Sequence, residues 1–297
     1  MRLKRLQSAM EYLMTYGWAI LIIAVVLGAL FQLGVFNAGT FAPRAPPGAC
    51  QVFRPNGPNS AHFINLEGVC NGELPQYVGV FVNPTTTTSW SSYASASNTQ
   101  ILSGNTATIT YWVYPEAIGG NNYCALAVSY HQGCSQGAVL CVDNSSGSLR
   151  PRFENWCNDG TPSSGPTIQL DQWNFMAGTL SGTTLTLYLN SYQYPAITLG
   201  APSISSTDIL NIGIEDGGSP AGVGMIAGIQ IYNTSLSANE IQYLYTEGIG
   251  GAPLNLQNIV GWWPLNGNAN DYSGNNNNAV PSGVTYTNQW AGGYTPP

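Results

Sequence analysis

Two hydropathy patterns divide the chain. From Tyr12 to Phe36 the only clearly polar side chains are Thr15 and Gln32, and the basic residues Arg2, Lys4 and Arg5 stand in front. At ~1.5 Å per residue such a helix reaches about 35 Å, enough to cross a bilayer's hydrocarbon core with some tilt. The pattern predicts a membrane helix over residues 7–36, with a basic leader, 1–6, on the cytoplasmic side and residues 37–297 outside the cell. Residues 37–49, rich in Pro, Gly and Ala, read as a linker. Residues 50–75 hold Cys50 and Cys70 among several Pro and Gly and predict a small stapled lead-in. From Gln76 onward the period changes to that of short strands separated by turn residues. Ala107, Ile109, Tyr111 and Val113 alternate with Thr108, Thr110 and Trp112, and Leu185, Leu187 and Leu189 mark an inward face. Gly224–Asn233 reads as a further strand. One short helix interrupts the strands: Ser237 and Glu240 form a capping box, Ile241, Leu244 and Tyr245 an apolar stripe, and Gly248 a stop. The predicted fold is mainly β, a two-sheet antiparallel jelly roll behind a long N-terminal hydrophobic helix, with ample length for a core.

Charge narrows the function. The chain has 7 Lys and Arg against 14 Asp and Glu, a formal net charge of −7, and only 7% charged residues. Without residues 1–6 the fixed cations are Arg44, Arg54, Arg150 and Arg152, and no lysine remains. Such a surface repels phosphate, which excludes nucleic acid as a partner. All six cysteines, Cys50, Cys70, Cys124, Cys134, Cys141 and Cys157, follow the membrane helix. An even number in an oxidising compartment reads as three disulfides, and the most local pairing is Cys50–Cys70, Cys124–Cys134 and Cys141–Cys157. A zinc site is the alternative, but no Cys-x2-Cys spacing occurs and the histidines are His62 and His131. Asn144 and Asn233 head glycosylation sequons.

The stretch Gln7-Ser-Ala-Met-Glu11-Tyr-Leu after a basic leader resembles the class III signal of archaeal type IV pilins. The resemblance implies cleavage between Leu6 and Gln7, which makes Glu11 the fifth residue of the mature chain. It also implies that the freed amine of a neighbouring subunit's first residue neutralises Glu11 inside a helix bundle and sets filament register. An unpaired carboxylate there would be costly. The family commonly has Gly where this chain has Leu6. A plain signal anchor, the other reading of this helix, gives no role to Glu11. The partners implied are the membrane and other pilin-like subunits.

A second resemblance covers residues 76–250. Ile109-Thr-Tyr-Trp112-Val-Tyr-Pro115, the run from Asp171-Gln-Trp173 to Tyr188-Leu-Asn190, and Ile229-Gln-Ile-Tyr232 leading to Glu240 and Tyr245 resemble strands and the closing helix of LamG-like, concanavalin A-type domains. Gly261-Trp262-Trp263-Pro-Leu-Asn-Gly-Asn-Ala-Asn-Asp271 resembles the opening strand of such a domain, so segment 251–297 is expected to complete the same sandwich. Some domains of this type are glucanases, whose paired carboxylates sit on one strand face. Here Glu215 and Asp216 are adjacent and read as a turn, and no nucleophile elbow or histidine pair occurs, so the chain is expected not to be an enzyme. No cofactor is required. Asp271 with Asn268 and Asn270 are weak candidates for a structural Ca²⁺, against an Asx-rich turn, and Gly228 stands where many relatives place Asp or Asn. The expected function is a pilin-like cell-surface subunit displaying this domain for adhesion, with surface glycans as a further partner. A membrane-anchored lectin-like protein that does not polymerise is the alternative.

Overall fold

The computed structural model describes residues 3–33, 43–84, 91–96, 102–119, 124–130, 137–155, 158–200, 204, 209–215 and 222–297, with the side chains of 3–13 and 158–159 left out. The chain divides into two units, Met1–Ala42 and Pro43–Pro297. The first holds helix α1, Leu3–Gln32. Its stretch Met14–Gln32 has a mean hydropathy of 2.2, and Trp18, Ile22 and Phe31 stand exposed around its circumference. A helix apolar on all sides suits lipid better than water. The bond between Leu6 and Gln7 lies within helical backbone, while the side chains of Leu6, Gln7 and Glu11 are outside the described residues.

In the second unit the strands run, in chain order, β1 (Arg44–Ala45), β2 (Cys50–Phe53), β3 (Asn65–Gly68), β4 (Leu74–Pro75), β5 (Val78–Asn83), β6 (Tyr93–Ala96) and β7 (Thr106–Ile118). Then come β8 (Ala125–Tyr130), β9 (Ala138–Asp143), β10 (Arg150–Asn155), β11 (Asn158–Gly160), β12 (Asn174–Ser181), β13 (Thr184–Leu189), β14 (Tyr192–Gln193) and β15 (Ile197–Thr198). The last are β16 (Leu210–Ile212), β17 (Gly222–Tyr232), β18 (Ile259–Trp263), β19 (Val280–Ser282) and β20 (Thr285–Thr287), with helix α2 (Ala238–Glu247) between β17 and β18. One sheet has the order β11-β10-β9-β8-β16-β6-β19. The other has β14-β13-β12-β7-β17-β5-β20, with β15 on β13 and β18 on β17. The inner faces form one core, including Ile109, Tyr111, Val113, Leu185, Leu187 and Leu189 from the alternating segments. This is an antiparallel β sandwich preceded by an apolar helix.

The C-terminal segment supplies strands to both sheets: β18 and β20 to one, β19 to the other. Trp263 is fully buried among the core residues and donates its indole N–H to the Asn277 carbonyl at 3.0 Å. Strand β17 bulges between Ala227 and Gln230, where it serves β7 on one side and β18 on the other. Gly228 sits there at φ +60, with the Ile249 carbonyl 3.1 Å from where a Cβ would stand. An Asp or Asn tolerates that φ, but its Cβ would press on this oxygen.

Arg44 and Ala45 lie inside the expected linker, yet they pair in parallel with Leu74 and Pro75. The expected lead-in is a β2–β3 hairpin closed by Cys50–Cys70, with Cα atoms 5.1 Å apart. The second disulfide corrects the sequence expectation: Cys124 bonds Cys141, not Cys134, and Cys141 is therefore not paired with Cys157. Strands β8 and β9 are antiparallel neighbours with Ala125 opposite Val142, which brings Cys124 beside Cys141 with Cα atoms 5.2 Å apart. Proximity along the chain was a poor guide because the hairpin folds back across it. Cys134, Cys157 and His131 lie outside the described residues.

Candidate functional site

Alternation in β7 predicts one buried and one solvated face, but Trp112, on the face opposite Tyr111, is only 3% exposed. Helix α2 and residues 288–297 cover it. Trp112 stacks on Tyr245 of α2 at 5.9 Å, meets Tyr294 edge-on at 5.6 Å and packs on Phe175 of β12 at 5.4 Å. Trp173 meets Trp290 edge-on at 6.3 Å and Tyr114 at 5.7 Å. Aromatic contacts of this geometry add to the area they bury. The C-terminal strap is also hydrogen-bonded in place. The Trp173 indole N–H donates to the Trp290 carbonyl at 2.9 Å, the Trp173 backbone N–H to Gly293, and the Ile249 N–H to the Tyr294 hydroxyl. Arg44 lies over the Trp290 ring at 5.7 Å and donates to the Asn288 carbonyl at 2.8 Å.

Beside this layer lies a cleft of about 450 Å³, within the range of small-molecule sites. Trp112, Trp173 and Tyr245 form its aromatic wall, Asp171, Gln172 and Asn190 its polar rim, and the strap from Gly293 to Pro296 its far side. The rim is set by local backbone chemistry. Buried Asn174 donates to the carbonyls of Gln169 and Gln172 and accepts from the Gln169 N–H, which pins the loop before β12. Asp171 and Asn190 both have left-handed backbone, φ 55 and 53, a conformation that Asp and Asn tolerate better than most residues. The Asn190 backbone N–H donates to the Phe175 carbonyl and its Oδ1 accepts the Phe175 N–H at 2.8 Å, so its NH2 has no partner among the described residues. Asp171 and Gln172 are exposed. Burial first, then the charges of Asp171 and Glu116, push the Tyr114 phenol above its ordinary pKa, so the neighbourhood is electronegative. A second cavity, about 40 Å³, lies beside the Cys50–Cys70 disulfide and has room for little more than water.

The residues singled out by sequence distribute differently. Asp271 is buried, and its carboxylate is already occupied. Oδ1 accepts the N–H groups of Trp262 and Ser273, and Oδ2 accepts the Ser273 hydroxyl and the Asn277 N–H, all at 2.8–2.9 Å. Burial pushes its carboxyl above the usual carboxylate range, and these hydrogen bonds pull it back. Asn268 Oδ1 accepts the Asn270 N–H at 2.9 Å, an Asx turn. A calcium site needs free oxygen lone pairs converging on one point. Here donors occupy the Asp271 carboxylate and Asn268 Oδ1, the pattern of an Asx-rich turn. Among the described residues no three His, Cys, Asp or Glu form a metal-binding group. Asp216 lies outside the described residues.

The Asn144 amide donates to the Gly119 carbonyl at 3.0 Å and is half-buried, whereas Asn233 is exposed. N-glycosylation is therefore expected at Asn233 and not at Asn144, checked by peptide mass mapping of each sequon. Of the cleft residues, Trp112, Asp171, Trp173, Asn190 and Tyr245 stand in the motifs that signal the fold, yet nothing in the sequence marks them as a site. The pairing of β7, β12 and β13 and the docking of α2 bring them together, and the strap adds Gly293, Thr295 and Pro296.

A profile of the Concanavalin A-like lectin/glucanases superfamily matches residues 86–242, just over half of the chain. The chain belongs to that superfamily. Among solved structures it resembles a candidate carbohydrate-binding protein from Bacteroides ovatus, with TM-score 0.54 and 12% identity, over 75% of this chain and 63% of that one. It also resembles a heptameric SAP-like pentraxin from Limulus polyphemus, with TM-score 0.53 and 16% identity, over 71% of this chain and 94% of that one. At such identities the likeness is one of fold. The chain spans less than two thirds of the Bacteroides protein's length. No curated protein matches this sequence.

Proposed function

We propose that this chain is a pilin-like cell-surface subunit whose concanavalin A-like unit contacts glycans and performs no catalysis. The observation that carries the glycan reading is the cleft, with exposed Asp171 and Gln172 and half-buried Asn190 beside an aromatic wall. Hydroxyl-rich rings need this combination of amide and carboxylate partners with apolar edges. Support for surface display comes from the apolar span Met14–Gln32, from disulfides that persist in oxidising surroundings, and from the Gln7-to-Glu11 pattern. In this reading the N-terminus starts in the cytoplasm, the β unit lies outside, and α1 packs against other subunits. The second reading, an anchored lectin-like protein that stays monomeric, draws support from Leu6 in place of the usual glycine.

N-terminal mass spectrometry of sheared cell-surface material separates the two. A peptide beginning at Gln7 in that fraction is expected. Intact residues 1–6, with all protein in the membrane pellet, would leave the anchored reading. Glycan-array binding by the full chain is expected to weaken at least tenfold when Gln172 is changed to Ala and Asn190 to Asp, which keeps the left-handed backbone and the bond from the Phe175 N–H, because two ligand hydrogen bonds are lost. An unchanged array profile would remove the cleft from consideration.

A further inference from the structure

The ionisable groups on the elements around the cleft are all acids. Strand β7 carries Glu116, the loop before β12 carries Asp171, and helix α2 carries Glu240 and Glu247. Strands β12 and β13 and the strap from Asn288 onward carry no charged side chain, and no Lys, Arg or His occurs on any of these elements. Two cations approach these elements, Arg44 and Arg150, and Arg150 donates to the Gly165 carbonyl of the loop before β12 at 3.2 Å without lining the cleft. Arg44 is committed to the Trp290 ring and the Asn288 carbonyl and does not line the cleft. Asp171 is itself exposed on the rim, next to Gln172.

From this arrangement we infer that the cleft selects sugars by charge: it takes an amino sugar, with the ammonium beside Asp171, and rejects uronic and sialic acids. The inference rests on the reading of the cleft as a glycan site. An acidic sugar would bring its carboxylate toward Asp171 with no cation in the cleft lining to offset the repulsion. A protonated amino sugar gains an ion pair there, while its hydroxyls meet the Gln172 amide and the NH2 of Asn190. Its ring edge lies against Tyr245. Discrimination then comes from a repulsive element as much as from an attractive one.

The test is calorimetric titration of the full chain in discs of zwitterionic lipid, at mildly acidic pH. The probes are a glucosamine tetramer, an N-acetylglucosamine tetramer and a galacturonate tetramer. The glucosamine tetramer is expected to bind roughly fivefold tighter than its acetylated form, the scale of one exposed ion pair, and the galacturonate tetramer more weakly than either. Asp171→Asn keeps a residue that tolerates the left-handed backbone and is expected to equalise the three. Raised salt should shrink the preference in the natural chain in the same way. Equal or tighter binding of galacturonate, or a preference unchanged in Asp171→Asn, would overturn the charge selection and leave the glycan reading standing. Failure of all three tetramers to bind the unaltered chain would overturn both.

Discussion

Replacing Arg54 with Ala is expected to destabilise the β unit by about 3–5 kcal/mol, the range for removing one partner from a buried charged network. Arg54 is 8% exposed, and its guanidinium donates to four carbonyls, those of Ser273, Ser60, Leu256 and Ile259, at 2.7–3.0 Å. Burial pulls its pKa down and the Asp271 charge pulls back. The planar fork joins the segment that follows β2 to the segment that carries β18. The Val52 N–H donates to the Tyr272 carbonyl, and the Asn59 N–H to the Asn275 side chain, across the same seam. Ala would strand the carbonyls away from water. Lys would keep the charge but cannot span four acceptors with one ammonium, so Arg54→Lys should recover only part of the loss. Thermal and urea melts of the full chain in detergent would read this as a Tm drop of roughly 10 °C. A loss below about 1 kcal/mol would mean that water reaches the carbonyls once the side chain is gone.

The second large effect is alkaline unfolding. Tyrosine phenols are the main buried titratable groups. Tyr194 donates to the Pro166 carbonyl at 2.5 Å, and burial pushes its pKa up to about 12. Burial drives Tyr111, whose hydroxyl is shared between the carbonyls of Leu126 and Leu140, and Tyr232 well above the ordinary range as well. The folded pKa values lie above the unfolded value near 10, so the native state holds more protons in between. That stability is fully present below about pH 10 and is lost as pH rises through the folded values. The expected result is cooperative unfolding in which circular dichroism and tyrosinate absorbance change together. A gradual titration starting near the ordinary phenol pKa, with the β signal intact, would show that these hydroxyls reach water in the folded protein.

The elements legible in the sequence share one property: their signals are local. The capping box of α2 forms as its spacing requires, with the Ser237 N–H donating to Glu240 Oε2 at 2.8 Å and the Glu240 N–H to the Ser237 hydroxyl. The alternating residues of β7 and β13 face the core because a pleat has period two whatever its partner is. The apolar run of α1 is long enough to span lipid on any reading of its neighbours. These features, with the superfamily motifs, determined fold class and the presence of a membrane-length helix.

What the tertiary structure decided concerns partners distant along the chain. Cys124 meets Cys141 because β8 and β9 are antiparallel with that register, and no spacing rule contains the register. Arg54 reads as a surface cation in a sequence so poor in charge. It is a seam because residues about two hundred positions away turn their carbonyls toward it. Trp112, the solvated member of an alternating strand by pattern, is buried because α2 and the strap return over it, and the same return builds the cleft from Asp171, Asn190 and Tyr245. Periodicity records which side of an element avoids water. Which surface covers that side is set by chain return and register, whose energies belong to pairs of segments and not to either one alone.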